Sequence, residues 1–241
     1  MAWRLRIEAV LTVETLGDAV SGALGPRLVS LLLYGSAARG THVRERSDVN
    51  TLLICDAVDE ELFARLRPVL GRWVGAGHPA PLILTETEWR SSADAFPIEY
   101  EDIQEAHRVL AGRDPWPGVT VRRDDVRRQL EQELMGKLVR LRQAYVALPP
   151  KQLARVVAGS AGGFFTMLRA ALRLAGQTPP ADVGSLVRAA GALVGFPPDG
   201  LAPLVAHATG GRALRLAAGD PLPAAYLGAV AQTAEFVNRL G

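Results

Sequence analysis

Val126, Leu130, Leu134, Leu138, Leu141, Tyr145 and Leu148 recur every three or four residues. That spacing places all seven on one stripe of a single long helix, and such a stripe must be buried against other elements. Pro149-Pro150 closes the helix, because proline has no amide hydrogen to give to a helix interior. The same rhythm continues through Gln152–Ala175, Ala181–Leu193, Leu201–Ala217 and Leu222–Leu240, separated by Thr178-Pro179-Pro180, Phe196–Gly200 and Gly219–Pro221. No strand signal interrupts these segments. Residues 117–241 therefore read as a C-terminal domain built as a bundle of about five helices.

The chain before that point reads differently. Arg27–Tyr34 and Val49–Cys55 are short, apolar and bounded by turn signals, as strands are. Strands are also expected over Pro81–Thr85 and Pro97–Ile103. Helices are expected over residues 6–23, over Glu60–Val74, within Thr87–Ala95 and over Gln104–Leu110. The stretch Arg113-Asp-Pro-Trp-Pro-Gly118 marks a boundary, since two prolines and a glycine favour a connector. The expected class is thus α+β: a mixed sheet with helices over residues 1–116, followed by the all-α domain.

Composition excludes several functions. With 49% hydrophobic and 22% charged residues and a net charge of +2, the chain is neither disordered nor a polycation shaped for nucleic acid. Cys55 is the single cysteine and lies in an apolar run, so no internal disulfide forms and a reducing compartment is expected. Glu8, Glu14 and Asp18 interrupt the first apolar segment, which argues against a signal peptide. No apolar run reaches the roughly 18–20 residues that span a bilayer. A cytoplasmic protein without a membrane role is expected.

The chemistry is suggested by one loop. The apolar run ending at Tyr34 gives way to Gly35-Ser36, and the next apolar run opens at Ser47-Asp48-Val49-Asn50. A strand that turns through Gly-Ser leaves backbone N–H groups and a hydroxyl able to hold a phosphate. Arg39 in the same loop adds a charge-assisted donor. Alternation along a strand puts residues 48 and 50 on one face. A pair of oxygen ligands there can hold Mg²⁺ against a triphosphate.

These residues resemble the signature of the nucleotidyltransferase superfamily, the group built like DNA polymerase beta, and most closely its aminoglycoside adenylyltransferase-like bacterial members. The resemblance covers residues 10–115 by motif and order of elements, and the helical half by architecture alone. It implies transfer of a nucleoside monophosphate, AMP from ATP, to a hydroxyl of a small molecule, with Mg²⁺ as cofactor. It implies that Gly35, Ser36, Arg39 and Ser47 bind the nucleotide, that Asp48 binds metal and acts in catalysis, and that a third carboxylate serves as metal ligand or base. Glu99 is the best match for that carboxylate and Asp102 the alternative, while Glu101, Asp102 and Glu105 otherwise read as a solvated edge.

Asn50 departs from the pattern, offering a neutral carbonyl where the superfamily has an acid. Three readings follow: an active transferase with an altered metal shell at Asp48, Asn50 and Glu99; a nucleotide-binding regulator without chemistry; or an antitoxin-like protein acting through a protein partner or as a homodimer. The active cleft is expected between the two domains.

The remaining candidates have simpler explanations. His42 and His78 read as loop residues, His107 as packing near the boundary, and His207 as partly buried structure. Trp73, Trp89 and Trp116 read as packing residues before base-stacking ones. Arg122, Arg123, Arg127 and Arg128 surround Asp124-Asp125 and read as a solvated face with local ion pairs, one or two arginines being able to serve a triphosphate. The run Gly159–Gly163 reads as a close helix–helix contact or a kink.

Overall fold

The computed structural model describes residues 12–40, 49–210 and 213–240. In chain order the elements are α1 (Val13–Leu24), β1 (Leu28–Tyr34), α2 (Ser36–Arg39), β2 (Asn50–Cys55), α3 (Glu60–Gly75), β3 (Leu82–Thr85), α4 (Glu86–Ser91), α5 (Pro97–Glu105), β4 (His107–Gly112), α6 (Arg123–Ala147), α7 (Pro150–Leu174), α8 (Val183–Val194), α9 (Ala202–Ala208) and α10 (Leu222–Asn238). The chain is α+β, with one mixed sheet of order β3-β2-β1-β4. β1 pairs antiparallel with both β2 and β4, and β2 pairs parallel with β3. No helix among the described residues is long and apolar enough to cross a membrane.

The residues divide into two compact units. One holds residues 12–40, 49–91 and 103–119; the other holds residues 92–102 and 120–240. The expected boundary at 116/117 therefore misses an excursion, because residues 92–102 belong to the helical unit.

In the sheet unit, Leu31, Leu33, Val49, Leu53 and Cys55 line one face of the sheet and are buried with Leu16, Val20 and Leu24 of α1 and Leu62, Leu66, Val69 and Trp73 of α3. Their three- and four-residue spacing in the helices explains why those segments are helical. Each helix also starts on a capping residue. Thr12 and Thr15 form a reciprocal capping box at α1, and the Asp59 carboxylate accepts the Leu62 amide at 2.8 Å at α3. The Trp73 indole donates to the Pro79 carbonyl at 2.8 Å, which satisfies its one polar atom in the core. Two glycines allow the chain to close up. A Cβ on Gly17 would stand 2.6 Å from the Leu110 carbonyl oxygen, and one on Gly112 would collide with that of Val29.

In the helical unit, α6, α7, α8 and α10 bury one continuous core that includes Leu130, Leu134, Leu138, Phe164, Leu168, Leu186, Tyr226 and Val230. Phe164 meets Tyr226 edge-on with ring centroids 5.3 Å apart. The arginine-rich start of α6 carries local ion pairs as expected: Arg128 to Asp125 at 3.3 Å and Arg127 to Glu131 at 3.0 Å.

Four expectations are corrected. Pro97–Ile103 is not a strand but the body of α5. The Gln129 side chain accepts the Ile98 amide at 2.9 Å, satisfying an otherwise orphaned donor of the first turn. Gln104–Leu110 is not a helix, because β4 begins at His107 and pairs with the central strand β1. The helix expected over Leu201–Ala217 lasts only to Ala208, stopped where Gly210 takes φ +92°. Finally, Gly159–Gly163 is neither a tight contact nor a break. α7 runs unbroken through it, and a Cβ at Gly159 or Gly162 would meet nothing within 4 Å.

Candidate functional site

Gly35 leaves β1 with φ +74° and ψ −146°, a conformation that favours glycine. Its α carbon faces Asn50, since a Cβ there would lie 3.3 Å from Asn50 Nδ2. The turn then winds into α2, where the Arg39 amide donates to the Gly35 carbonyl at 3.0 Å, and Gly40 ends it in the left-handed region at φ +74°. Gly35, Ser36, Arg39 and Asn50 are therefore neighbours at one end of the sheet. Ser47 and Asp48 lie outside the described residues.

The register defines the surroundings of this turn. Tyr34 is directly opposite Asn50 on one side and directly opposite His107 on the other. Residues paired across neighbouring strands share a face, so Tyr34, Asn50 and His107 form one row. That row lies on the face away from α1 and α3, because Leu33, the residue before Tyr34, points into their core.

His107 Nδ1 donates to the Ile103 carbonyl at 2.9 Å. That bond holds the proton on Nδ1 in the neutral ring and leaves Nε2 as a lone-pair site. The ring lies 6.0 Å from Trp116, which meets the buried Trp89 edge-on at 5.2 Å. Trp89 in turn donates to the Pro115 carbonyl at 3.0 Å. The tryptophans thus fasten the 113–118 segment, as their packing role required. Sequence reasoning placed His107 within a helix; it is in a strand, and it packs near Trp116 of the connector as expected. The usable signal was a polar residue opening a short run, Val109-Leu110-Ala111, that ends in glycine.

The Arg39 side chain is only 9% exposed and forms a loose ion pair with Glu105, Nη2 to Oε2 at 3.9 Å. Glu105 is exposed, as a solvated edge requires, and also faces Arg39. Glu101 and Asp102 are not solvated. They face Arg173 of α7 at 3.4 and 3.6 Å. Burial pushes the Glu101 carboxyl up, opposed by the charge and hydrogen bond of Arg173.

Glu99 sits on a helix where a strand was expected. It lies on α5, in the helical unit, exposed, and its carboxylate accepts the Gln129 side-chain amide at 2.9 Å. The Gly35 turn belongs to the sheet unit. Within the sheet unit the structure brings Gly35, Ser36, Arg39 and Asn50 together.

Among the described residues, no group of three His, Cys, Asp or Glu side chains stands ready for a metal. Asn50 offers a neutral hard oxygen of the kind Mg²⁺ accepts, and so fits as one ligand of such an ion. Cys55 is buried in the sheet, where desolvation pushes its thiol up to about 11 and so disfavours the nucleophilic thiolate. Compared with known proteins, the chain matches no family model and no curated sequence.

Proposed function

We propose that the chain is a nucleotidyltransferase that moves AMP from ATP to a hydroxyl of a small molecule. The supporting observation is the apposition of Gly35 and Asn50. It sets the phosphate-type turn beside the strand that follows Ser47-Asp48, at one edge of the sheet. Ser36 and the turn amides hold the triphosphate, and Arg39 supplies a positive charge whose balance Glu105 adjusts. Asp48 and the Asn50 carbonyl oxygen would hold a magnesium ion, which neutralises charge on the triphosphate when bound.

In the reaction the acceptor oxygen attacks the α-phosphorus. The bond from that phosphorus to the α–β bridging oxygen breaks, and pyrophosphate leaves with the electron pair. The acceptor's proton goes to a base. His107 Nε2, on the same sheet face as Asn50 and with its tautomer fixed by Ile103, takes that part.

The neutral Asn50 also favours a second reading, nucleotide binding without turnover. At about 4 Å and an effective dielectric near 20, one missing unit charge removes about 4 kcal/mol of attraction for a cation. One experiment separates the two. ATP binding and pyrophosphate release are measured with Mg²⁺ over a panel of hydroxylated acceptors. Transfer predicts both, with His107→Gln cutting turnover about a hundredfold at unchanged ATP affinity. Binding without release selects the second reading, and absence of ATP binding overturns both.

A further inference from the structure

Three glycines weaken a helix, and Gly159, Gly162 and Gly163 are exposed rather than packed. A Cβ at Gly163 would stand 3.6 Å from Lys137 Nζ. Lys137 thus lies beneath the exposed Gly163 and is itself buried, at 7% exposure.

An ammonium has three donors. Lys137 spends one on the Ser160 carbonyl at 2.9 Å, makes no other hydrogen bond among the described residues, and pairs with no carboxylate there. The Tyr226 hydroxyl donates to that same Ser160 carbonyl at 3.2 Å. Ser160 Oγ donates to the Val157 carbonyl at 3.2 Å and meets the Tyr226 hydroxyl at 3.0 Å. Arg140 folds back beside Gly136, with Nη1 3.4 Å from where a Cβ on that glycine would stand. It too makes no hydrogen bond or ion pair among the described residues. Burial pulls the Lys137 amine down from its ordinary value, Arg140 adds to this, and the exposed Glu133 opposes it. Of the chain's basic residues only Lys137 and Lys151 are lysines, so the buried position holds one of the two compact ammonium groups in an arginine-dominated protein.

We propose that the helical unit holds a small-oxyanion site, in which Lys137 and Arg140 bind a carboxylate or phosphate group admitted over Gly163. A buried cation without a counter-ion is costly, and an anion at Gly163 removes that cost. The ammonium supplies a point charge and the guanidinium a planar fork, together suited to two oxygens of one group. The site uses residues of the helical unit alone and is independent of the nucleotide reading.

The test uses the full chain with its lysines labelled for NMR. Only two side-chain signals arise, and Lys137→Met identifies the one at issue. Inorganic phosphate and, separately, acetate are titrated in. A saturable shift of the Lys137 signal with Lys151 unmoved is expected, and the responding anion tells which group the site prefers. Gly163→Leu, on an exposed face, covers the ammonium and should weaken binding about tenfold or more with Lys137 still present. Ser36→Ala should leave it unchanged. No shift with either anion, full affinity in Gly163→Leu, or loss of the shift in Ser36→Ala overturns the proposal.

Discussion

The helical unit and the sheet unit bury similar side chains under different constraints. In the helical unit the core is a continuous set of Leu, Phe, Val and Ala positions along α6, α7, α8 and α10. Contact is made mainly by side chains on helix faces, and along α7 a Cβ on Gly159 or Gly162 would meet nothing; close approach is confined to Gly191, whose Cβ would stand 2.8 Å from the Phe196 carbonyl oxygen, and Gly200, 2.9 Å from Ala225. In the sheet unit the core is smaller, and the backbone itself comes close at Gly17, Gly35 and Gly112. The first arrangement should lose stability in proportion to apolar volume removed. The second should lose it when a single methyl is added.

The largest effect expected from that contrast is at Phe164, fully buried against Tyr226. Phe164→Ala should cost about 3–5 kcal/mol in urea unfolding. A cost below that of an ordinary surface change would mean the bundle core is loose. Next is Gly112→Ala, which adds a methyl against the Val29 carbonyl at φ +81°. It should cost about 2–3 kcal/mol through clash and left-handed strain. The matching change Gly162→Ala, in open space on a helix, should stabilise by about 0.5–1 kcal/mol. If the two glycine variants behave alike, the contrast fails.

A thiol probe sharpens the comparison further. Cys55 should react with a disulfide reagent only as fast as the sheet unit opens, because its thiol is both buried and raised to about 11. Rapid labelling of the native chain would show that the sheet opens locally. The smallest effect concerns the Asp59 carboxylate, which is held below its ordinary 3.8 first by Arg27 and then by the Leu62 amide. A lowered carboxylate gives stability that is complete above the unfolded value and is lost as pH falls through the folded one. The difference between wild type and Asp59→Asn should therefore be full at neutral pH and fade below 3.8. A pH-independent difference would mean the charge is irrelevant.

The bundle was readable because helix periodicity is local: Val126, Leu130, Leu134, Leu138 and Leu141 are buried as their spacing required, although Tyr145 of the same stripe is exposed near the helix end. β1 and β2 were readable because a strand buried on both faces is a short apolar run between turns. Residues 97–112 were not. Ile98, Tyr100 and Asp102 alternate like a strand, and what makes them helical is Gln129, thirty-one residues from Ile98, taking up an amide. His107-Arg108 looks too polar for a strand, but β4 is an edge strand of the sheet, and edges carry charge. Of the candidate site, the meeting of Gly35 with Asn50 followed from the hairpin-like order of β1 and β2. The row Tyr34–Asn50–His107 did not, since it depends on pairing with a strand that had been read as helix.

The excursion of residues 92–102 bears on how the molecule is made. A ribosome delivers this stretch before α6 and α7 exist, so Ile98 and Tyr100 emerge without the surface that later covers them. Meanwhile the sheet can be completed as soon as β4 appears, with the stretch looped out. Only when Gln129 and then Arg173 arrive does α5 gain its amide partner and its two carboxylates their counter-charge. A gene cut at the proline-rich connector would hand each product an incomplete inventory: one with an orphaned α5, the other with a stranded arginine.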